Sequence, residues 1–208
     1  MAEAAELDPD EVLAAYRHGA FPMADPHSGE VEFFTCSPRF IVPVDERFRV
    51  PDSLAQTLRR GDFSFQIDTA FAEVVRACAS VKRPDPRGAG MTWISPKIEK
   101  AYTALHRRGL AHSVEAWRDN RLVGGLYGVA LGGAFFGESM FSLGDSGGRD
   151  ASKSCLVHLV TRLRERGFSL LDSQYANQHL RQFGAYEIDE AEYLKRLHSA
   201  LAAPVHFH

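Results

Sequence analysis

His112-Ser113-Val114-Glu115-Ala116-Trp117, then Arg118-Asp119-Asn120, then Arg121-Leu122-Val123-Gly124-Gly125-Leu126-Tyr127-Gly128-Val129-Ala130 is the stretch whose reading decides the fold. Two apolar-rich runs around a short polar segment read as a β-hairpin. A third apolar run, Gly132-Gly133-Ala134-Phe135-Phe136, continues to Phe141 and reads as the next strand. The period then changes. Between Ala151 and Arg166 the residues Leu156, Leu159, Val160 and Leu163 fall on one helical stripe. A strand at 168–172, a short helix near Asn177, a strand at Tyr186-Glu187-Ile188 and a helix from Asp189 follow. Three strands, then helix, strand, helix and strand, describe a mixed sheet covered by helices, which is the α+β class.

Upstream, Asp8 can cap a helix whose first position suits Pro9, and Glu11 completes a capping box. Val12, Leu13 and Tyr16 share a face of that helix, and Gly19 stops it. Short strands are expected from Val31 to Val44, around Pro38 and Pro43. We therefore expect a small N-terminal domain at 1–48 and a larger one at 49–208. The larger part begins with a short helix from Asp52 or Ser53 to Leu58, a strand at 64–67 and a helix from Thr69 to Ala79. The Pro- and Gly-rich 82–90 segment is a loop. Ser95-Pro96 then opens a helix with Ile98, Tyr102 and Leu105 at helical spacing, ended by Gly109.

The 208 residues carry a net charge of −3, with 45% hydrophobic and 25% charged side chains, as in an ordinary globular chain. No apolar run approaches the roughly 20 residues of a membrane span, so no membrane partner is expected. The first residues are acidic and lack the basic, then apolar, pattern of a secretory signal. Cys36, Cys78 and Cys155 are odd in number and widely spaced, which suggests neither a disulfide framework nor a zinc site and fits a reducing cytoplasm. His112, His158 and His179 show no ligand spacing, so no metal and no organic cofactor are expected. The overall charge argues against a protein that coats nucleic acid indiscriminately. From Arg59 to Arg108, however, ten basic side chains face five acidic ones. That local excess suits either a solvated surface or a phosphate-contacting face built on Arg59, Arg60, Lys82 and Arg83.

Two segments bear chemistry. Gly137-Glu138-Ser139-Met140-Phe141-Ser142 sets one carboxylate among aromatic and thioether side chains, and Asp172-Ser173-Gln174 ends another apolar run with an acid and an amide. A carboxylate buried in such surroundings is costly unless paired, and Lys153 is a possible partner for Glu138. On a strand, Asp172 and Gln174 would share one face and Ser173 the other. They serve either as a catalytic pair or as a turn cap and a structural donor.

These residues also carry a resemblance. Leu13-Ala14-Ala15-Tyr16-Arg17-His18-Gly19-Ala20-Phe21-Pro22, Ser37-Pro38-Arg39, Thr92-Trp93-Ile94-Ser95 and Ala111-His112-Ser113-Val114-Glu115-Ala116-Trp117 occur in order. Val123 to Ala130, the Glu138 segment, Ala151-Ser152-Lys153, and Asp172-Ser173-Gln174 with Asn177, His179, Gly184 and Ala185 complete the set. In this ordered set the chain resembles the leucyl/phenylalanyl-tRNA–protein transferases. The resemblance implies a Gcn5-related N-acyltransferase-like larger domain. It also implies transfer of Leu or Phe, less well Met, from aminoacyl-tRNA to the N-terminal Arg or Lys of acceptor proteins, marking them for degradation. It implies Asp172 and Gln174 as catalytic centre, with Glu138 receiving the donor's α-amino group or the ribose hydroxyls. Phe135, Met140 and Leu126 would line the donor side-chain pocket. Trp93 and Phe34 would stack on the tRNA 3′ end. The chain departs from the family pattern in carrying Phe33-Phe34 where a Trp pair is usual, Ser173 between the acid and amide, and a glycine-rich 143–150 loop.

Two rival readings are open to the sequence. An acetyl-CoA-dependent N-acetyltransferase would need a pyrophosphate-binding turn at a helix start, and Gly144-Asp145-Ser146-Gly147-Gly148 has the wrong spacing and an acid. A non-catalytic binder of basic protein N-termini would have no need for Asp172, Gln174 and Glu138 together.

Overall fold

The computed structural model describes residues 6–81, 92–144 and 147–208. The expected loop at 82–90, with Lys82 and Arg83, lies outside them. In chain order the elements are α1 (Pro9–Arg17), β1 (Phe21–Ala24), β2 (Val31–Phe34), β3 (Arg39–Val42), α2 (Asp52–Arg60), β4 (Ser64–Ile67), α3 (Phe71–Ser80) and α4 (Pro96–Arg107). There follow β5 (Ala111–Arg118), β6 (Arg121–Leu131), β7 (Ala134–Ser142), α5 (Ala151–Glu165), β8 (Leu170–Asp172), α6 (Gln178–Arg181), β9 (Tyr186–Ile188) and α7 (Glu190–Leu201).

Local chemistry explains the boundaries. Asp8, Ser95 and Asp189 each accept a backbone N–H from the first turn of α1, α4 and α7, which satisfies one of the donors that a helix start leaves unpaired. The hairpin turns at Asp119 and Asn120, both with positive φ, the turn geometry that matches the twist of paired strands. Helix α3 starts two residues later than its apolar pattern suggests, because the backbone N–H of Ala70 and the hydroxyl of Thr69 are drawn to the buried Glu115 carboxylate.

Strands β1 and β2 form a separate two-stranded sheet; the others form a seven-stranded sheet in the order β4-β5-β6-β7-β8-β3-β9. Its pairs are antiparallel except β7 with β8, which run parallel. The expected α+β class, a mixed sheet covered by helices, is present. Strand β3, which the sequence reading set with the N-terminal part, is hydrogen-bonded between β8 and β9. Helices α1, α3, α4 and α7 cover one face with Tyr16, Val74, Tyr102 and Leu197. Helices α2, α5 and α6 cover the other with Leu54, Leu159, Leu163 and Leu180.

Close approach at the sheet's centre depends on Gly128. A Cβ there would lie 2.2 Å from the Phe136 carbonyl oxygen and 2.4 Å from Phe135 Cε1. Neither the backbone nor the fully buried Phe135 ring can retreat. Gly128→Ala is expected to destabilise the protein by about 3 kcal/mol, the upper range for overpacking, read as a shift in urea midpoint. A loss below about 1 kcal/mol would mean that β6 and β7 are less tightly matched.

Candidate active site

The one parallel pair ends early. Its last rung is Phe136 opposite Asp172, and beyond it β7 and β8 share no further rung, which leaves an opening in the ladder there. Glu138, Asp172 and Gln174, the candidate residues of the sequence, meet at this opening. Glu138 is also the extra residue of a β-bulge: Tyr127 faces Ser139 and Gly128 faces Gly137, with Glu138 between them. A bulge re-aims the side chain it carries. Glu138 thereby turns toward the α1/α4 face, where the Tyr102 hydroxyl donates to its Oε2 at 3.0 Å. Tyr102 is in turn hydrogen-bonded to Tyr16. Lys153 is not its partner, because that ammonium is 2.8 Å from Asp150.

Gln174 bridges the opening. Its Nε2 donates to Glu138 Oε1 at 3.2 Å. Donation by Nε2 sets the orientation of the amide, and its Oε1 takes no hydrogen bond among the described residues. The expected alternation of Asp172 and Gln174 along one strand is corrected by the structure. Strand β8 ends at Asp172, and Gln174 has φ +58°. The left-handed conformation is held by the Gln174 N–H donating to Asp172 Oδ1 at 2.9 Å. Asp172 therefore acts on Gln174 through its backbone.

Asp172 is itself fully committed. Arg39 Nε donates to both carboxylate oxygens at 2.9 and 3.0 Å, Arg39 Nη2 to Oδ2 at 2.7 Å, and the Tyr193 hydroxyl to Oδ2 at 2.8 Å. Both members of the ion pair are sealed, at 1% and 0% exposure. Rings of Phe21 and Tyr193 lie 5.0 and 4.3 Å from the guanidinium carbon. Arg39, Tyr193, Tyr16 and Tyr102 were not singled out from sequence as site residues. Arg39 did stand in the Ser-Pro-Arg segment, and only its pairing with β8 gives it a role.

Burial raises Glu138 from 4.5 to about 7, outweighing the Tyr16 and Tyr102 hydroxyls that favour its ionised form. Burial, and then the Glu138 charge, raise both tyrosines well above 10, so they remain hydrogen-bond donors at neutral pH. Glu138 is the acid poised to change charge near neutral pH, and its side chain is half-buried.

The other residues divide by face. Trp93, whose carbonyl accepts the Ala24 N–H at 3.1 Å, and Phe34, opposite Phe21, pack at the rim of the Tyr16/Tyr102 cluster. Leu126 and Met140 are cross-strand partners on the opposite, α5 face with Phe135. Met140 is half-buried, whereas Phe135 is sealed and lies 5.5 Å from the Phe207 ring. Tyr175, adjacent to Gln174 and 49% exposed, stands edge-on to Phe21; the sequence reading missed it. Arg59 and Arg60 are exposed on α2, and Arg60 is paired with Asp62. Three further bases of the locally basic region, Lys97, Lys100 and Arg108, pair with Glu30, Glu6 and Asp10, so the N-terminal segment offsets part of its charge. A cleft of about 380 Å³ between the start of α1 and α4, lined by Glu6, Leu7, Lys97 and Lys100, contains none of the three central residues. No described helix is long and apolar enough to cross a membrane.

The sequence was compared with known proteins. The sequence profile described as leucyl/phenylalanyl-tRNA protein transferase matches residues 41–198, and the profile of that family's N-terminal domain matches 5–37. A leucyl/phenylalanyl-tRNA–protein transferase of Rubrobacter xylanophilus is 52% identical over 196 residues, covering 94% of this chain and 95% of its own. One from Akkermansia muciniphila is 49% identical over 195 residues, covering 94% and 96%. Among solved structures, a ribosomal-protein-alanine N-acetyltransferase from Brucella melitensis biovar Abortus 2308 aligns with a TM-score of 0.39 and 20% identity, over 58% of this chain and 87% of that one. With two profiles in register and relatives matched over nearly their full length, the chain belongs to the leucyl/phenylalanyl-tRNA–protein transferase family of aminoacyltransferases.

Proposed function

We propose that this protein moves Leu or Phe, and less well Met, from aminoacyl-tRNA to the N-terminal Arg or Lys of acceptor proteins. The observation that carries the reading is the Gln174–Glu138 contact across the opening between β7 and β8. It brings to one point a carboxylate and an amide oxygen that takes no hydrogen bond among the described residues. The reaction is aminolysis of an ester: the acceptor's α-amine bonds to the carbonyl carbon, the bond to the ribose oxygen breaks, and the proton lost by the amine is matched by the one the ribose gains.

In this reading Glu138 receives the donor's α-amino group, a charge-assisted contact for a carboxylate. Gln174 Oε1 accepts an N–H of the attacking amine and aims its lone pair at the ester carbon. Asp172 and Arg39 act as positioning residues that fix the Gln174 backbone. Aminoacyl esters are reactive, so orientation supplies much of the acceleration. Leu126, Met140 and Phe135 are assigned to the donor side-chain pocket by the family resemblance, and they lie on the α5 face of the sheet, opposite the Tyr102 side to which Glu138 turns. A pocket of this kind separates side chains that differ by one methylene by only about 1–3 kcal/mol. Trp93 and Phe34, at the rim of the Glu138 face, stack on the terminal adenine. The tRNA phosphates are met by Arg59, Arg60, Lys82 and Arg83. Turnover takes place in the cytoplasm, where charged tRNA is found.

The acetyl-CoA reading is disfavoured at the start of α5. There Ala151 N–H donates to the Gly148 carbonyl, Ser152 N–H to Ser142 Oγ at 2.9 Å, and Ser154 N–H to the Asp150 carbonyl. These amides are occupied within the fold, and the Asp150 carboxylate beside them opposes a pyrophosphate.

The test is transfer of labelled Leu or Phe from charged tRNA to a peptide beginning with Arg, beside the same peptide acetylated at its N-terminus. Transfer to the free amine alone is the expected outcome. No transfer by folded protein, with acetylation of the peptide from acetyl-CoA, would replace this reading by its rival.

A further inference from the structure

We propose that Asp68, His112 and His208 bind a divalent transition-metal ion of the zinc type, at a site separate from Glu138 and independent of the function proposed above. The three residues are far apart in sequence, which is why their spacing showed no ligand pattern. The fold collects them. Pairing of β4 with β5, with Ile67 opposite Val114, sets Asp68 beside His112. The 205–208 segment then returns across the α5 face, where Arg162 Nε donates to the Phe207 carbonyl at 2.8 Å and the Phe207 ring stacks on His112 at 4.1 Å. That contact delivers His208 to the same carboxylate.

The donor set has the right composition and orientation. His112 Nδ1 lies 2.7 Å and His208 Nε2 2.5 Å from Asp68 Oδ2. The three donor atoms all lie within 4.8 Å of one another. Around a tetrahedral ion with bonds of about 2.1 Å, donors sit roughly 3.4 Å apart, so small side-chain adjustments seat the ion. Asp68 Oδ1 accepts the Ser113 N–H at 2.8 Å, which orients the carboxylate and leaves Oδ2 facing the imidazoles. Asp68 holds a left-handed φ of +61° to do so. His112 is 2% exposed and its Nε2 has no hydrogen-bond partner among the described residues. In the metal-free state Nδ1 donates to Asp68 Oδ2, so an ion bound there displaces that proton and leaves the imidazole protonated at Nε2. His106 is excluded from the first shell: its Nδ1 is engaged by the Ala111 carbonyl at 2.8 Å and stands 3.8 Å from Asp68 Oδ1. Two imidazoles and one carboxylate suit zinc, whereas calcium and magnesium favour all-oxygen sets.

The test titrates chelator-stripped full-length protein with Zn²⁺ in competition with a chromophoric chelator. One equivalent should bind. His208→Ala, an exposed position that does not endanger folding, should weaken binding at least about tenfold. His198→Ala, on the exposed side of α7, should leave it unchanged. Co²⁺ should give visible d–d bands with no sulfur-to-metal absorption. The proposal is overturned if the wild type binds no stoichiometric ion, if His208→Ala binds as tightly as the wild type, or if a thiolate band moves the ion to Cys36.

Discussion

Arg39→Met is expected to lower the free energy of unfolding by about 3–5 kcal/mol, the usual result of removing one partner of a buried ion pair. The size follows from what remains. Asp172 is 0% exposed, and three of its hydrogen bonds come from the guanidinium. Methionine fills similar space between Phe21 and Tyr193 but donates nothing, so a desolvated carboxylate is left with the Tyr193 hydroxyl and the Gln174 N–H. Arg39 Nη1 also donates to the Gly19 carbonyl at 2.9 Å, which ties the end of α1 to the sheet. Urea denaturation of the single variant and of Arg39→Met/Asp172→Leu separates the terms. The double variant should recover much of the loss, since apolar replacement of a whole buried pair is often neutral. A single-variant loss below about 1 kcal/mol would mean that Asp172 is already reached by water.

The same cluster shows what a sequence can and cannot reveal. The hairpin 111–131, strand β7 and helix α5 are all legible, because their apolar periods and turn residues are local. So are the three caps, where Asp8, Ser95 and Asp189 stand just before their helices. Strand β1 was missed: four residues are too few for a period, and Pro22 lies inside it. The membership of β3 in the main sheet was missed because its neighbours, β8 and β9, lie about 130 or more residues further along the chain. Glu138, Asp172 and Gln174 were legible as polar tips on apolar runs and as motifs of the family. Their mutual arrangement was not. A bulge at Glu138 and a left-handed turn at Gln174 change which way each side chain points, and neither leaves a trace in hydrophobic alternation. The tyrosines that hold Glu138 read as core residues, which they also are. Arg39 stood only as part of the family's Ser37-Pro38-Arg39 segment, and nothing in that segment announces that its charge is buried.

Glu138→Gln should move activity and stability in opposite directions. Gln keeps the shape and can still meet Gln174, but it loses the charge proposed to hold the donor's amino group. Losing a hydrogen bond to a charged group is worth about 1.5–3 kcal/mol, which corresponds to a fall in kcat/KM of roughly ten- to a hundredfold at pH 8. The wild-type profile should rise with pH through about 7, where Glu138 ionises, and that limb should vanish in the variant. The stability effect has the other sign. Burial raises the Glu138 pKa in the fold, so the folded state holds a proton that the unfolded chain gives up at about 4.5. Its contribution is fully present below that value and is lost as pH rises toward 7, where a charge is forced into a half-buried site. Glutamine never carries that charge. The variant should therefore match the wild type near pH 4.5 and exceed it by about 2 kcal/mol at pH 8, after allowance for partial exposure. Higher stability together with lower activity would show that the variant is folded and that its defect is chemical. Full activity with the acid limb intact would remove Glu138 from the donor site and require another group with a pKa near 7 at the opening between β7 and β8.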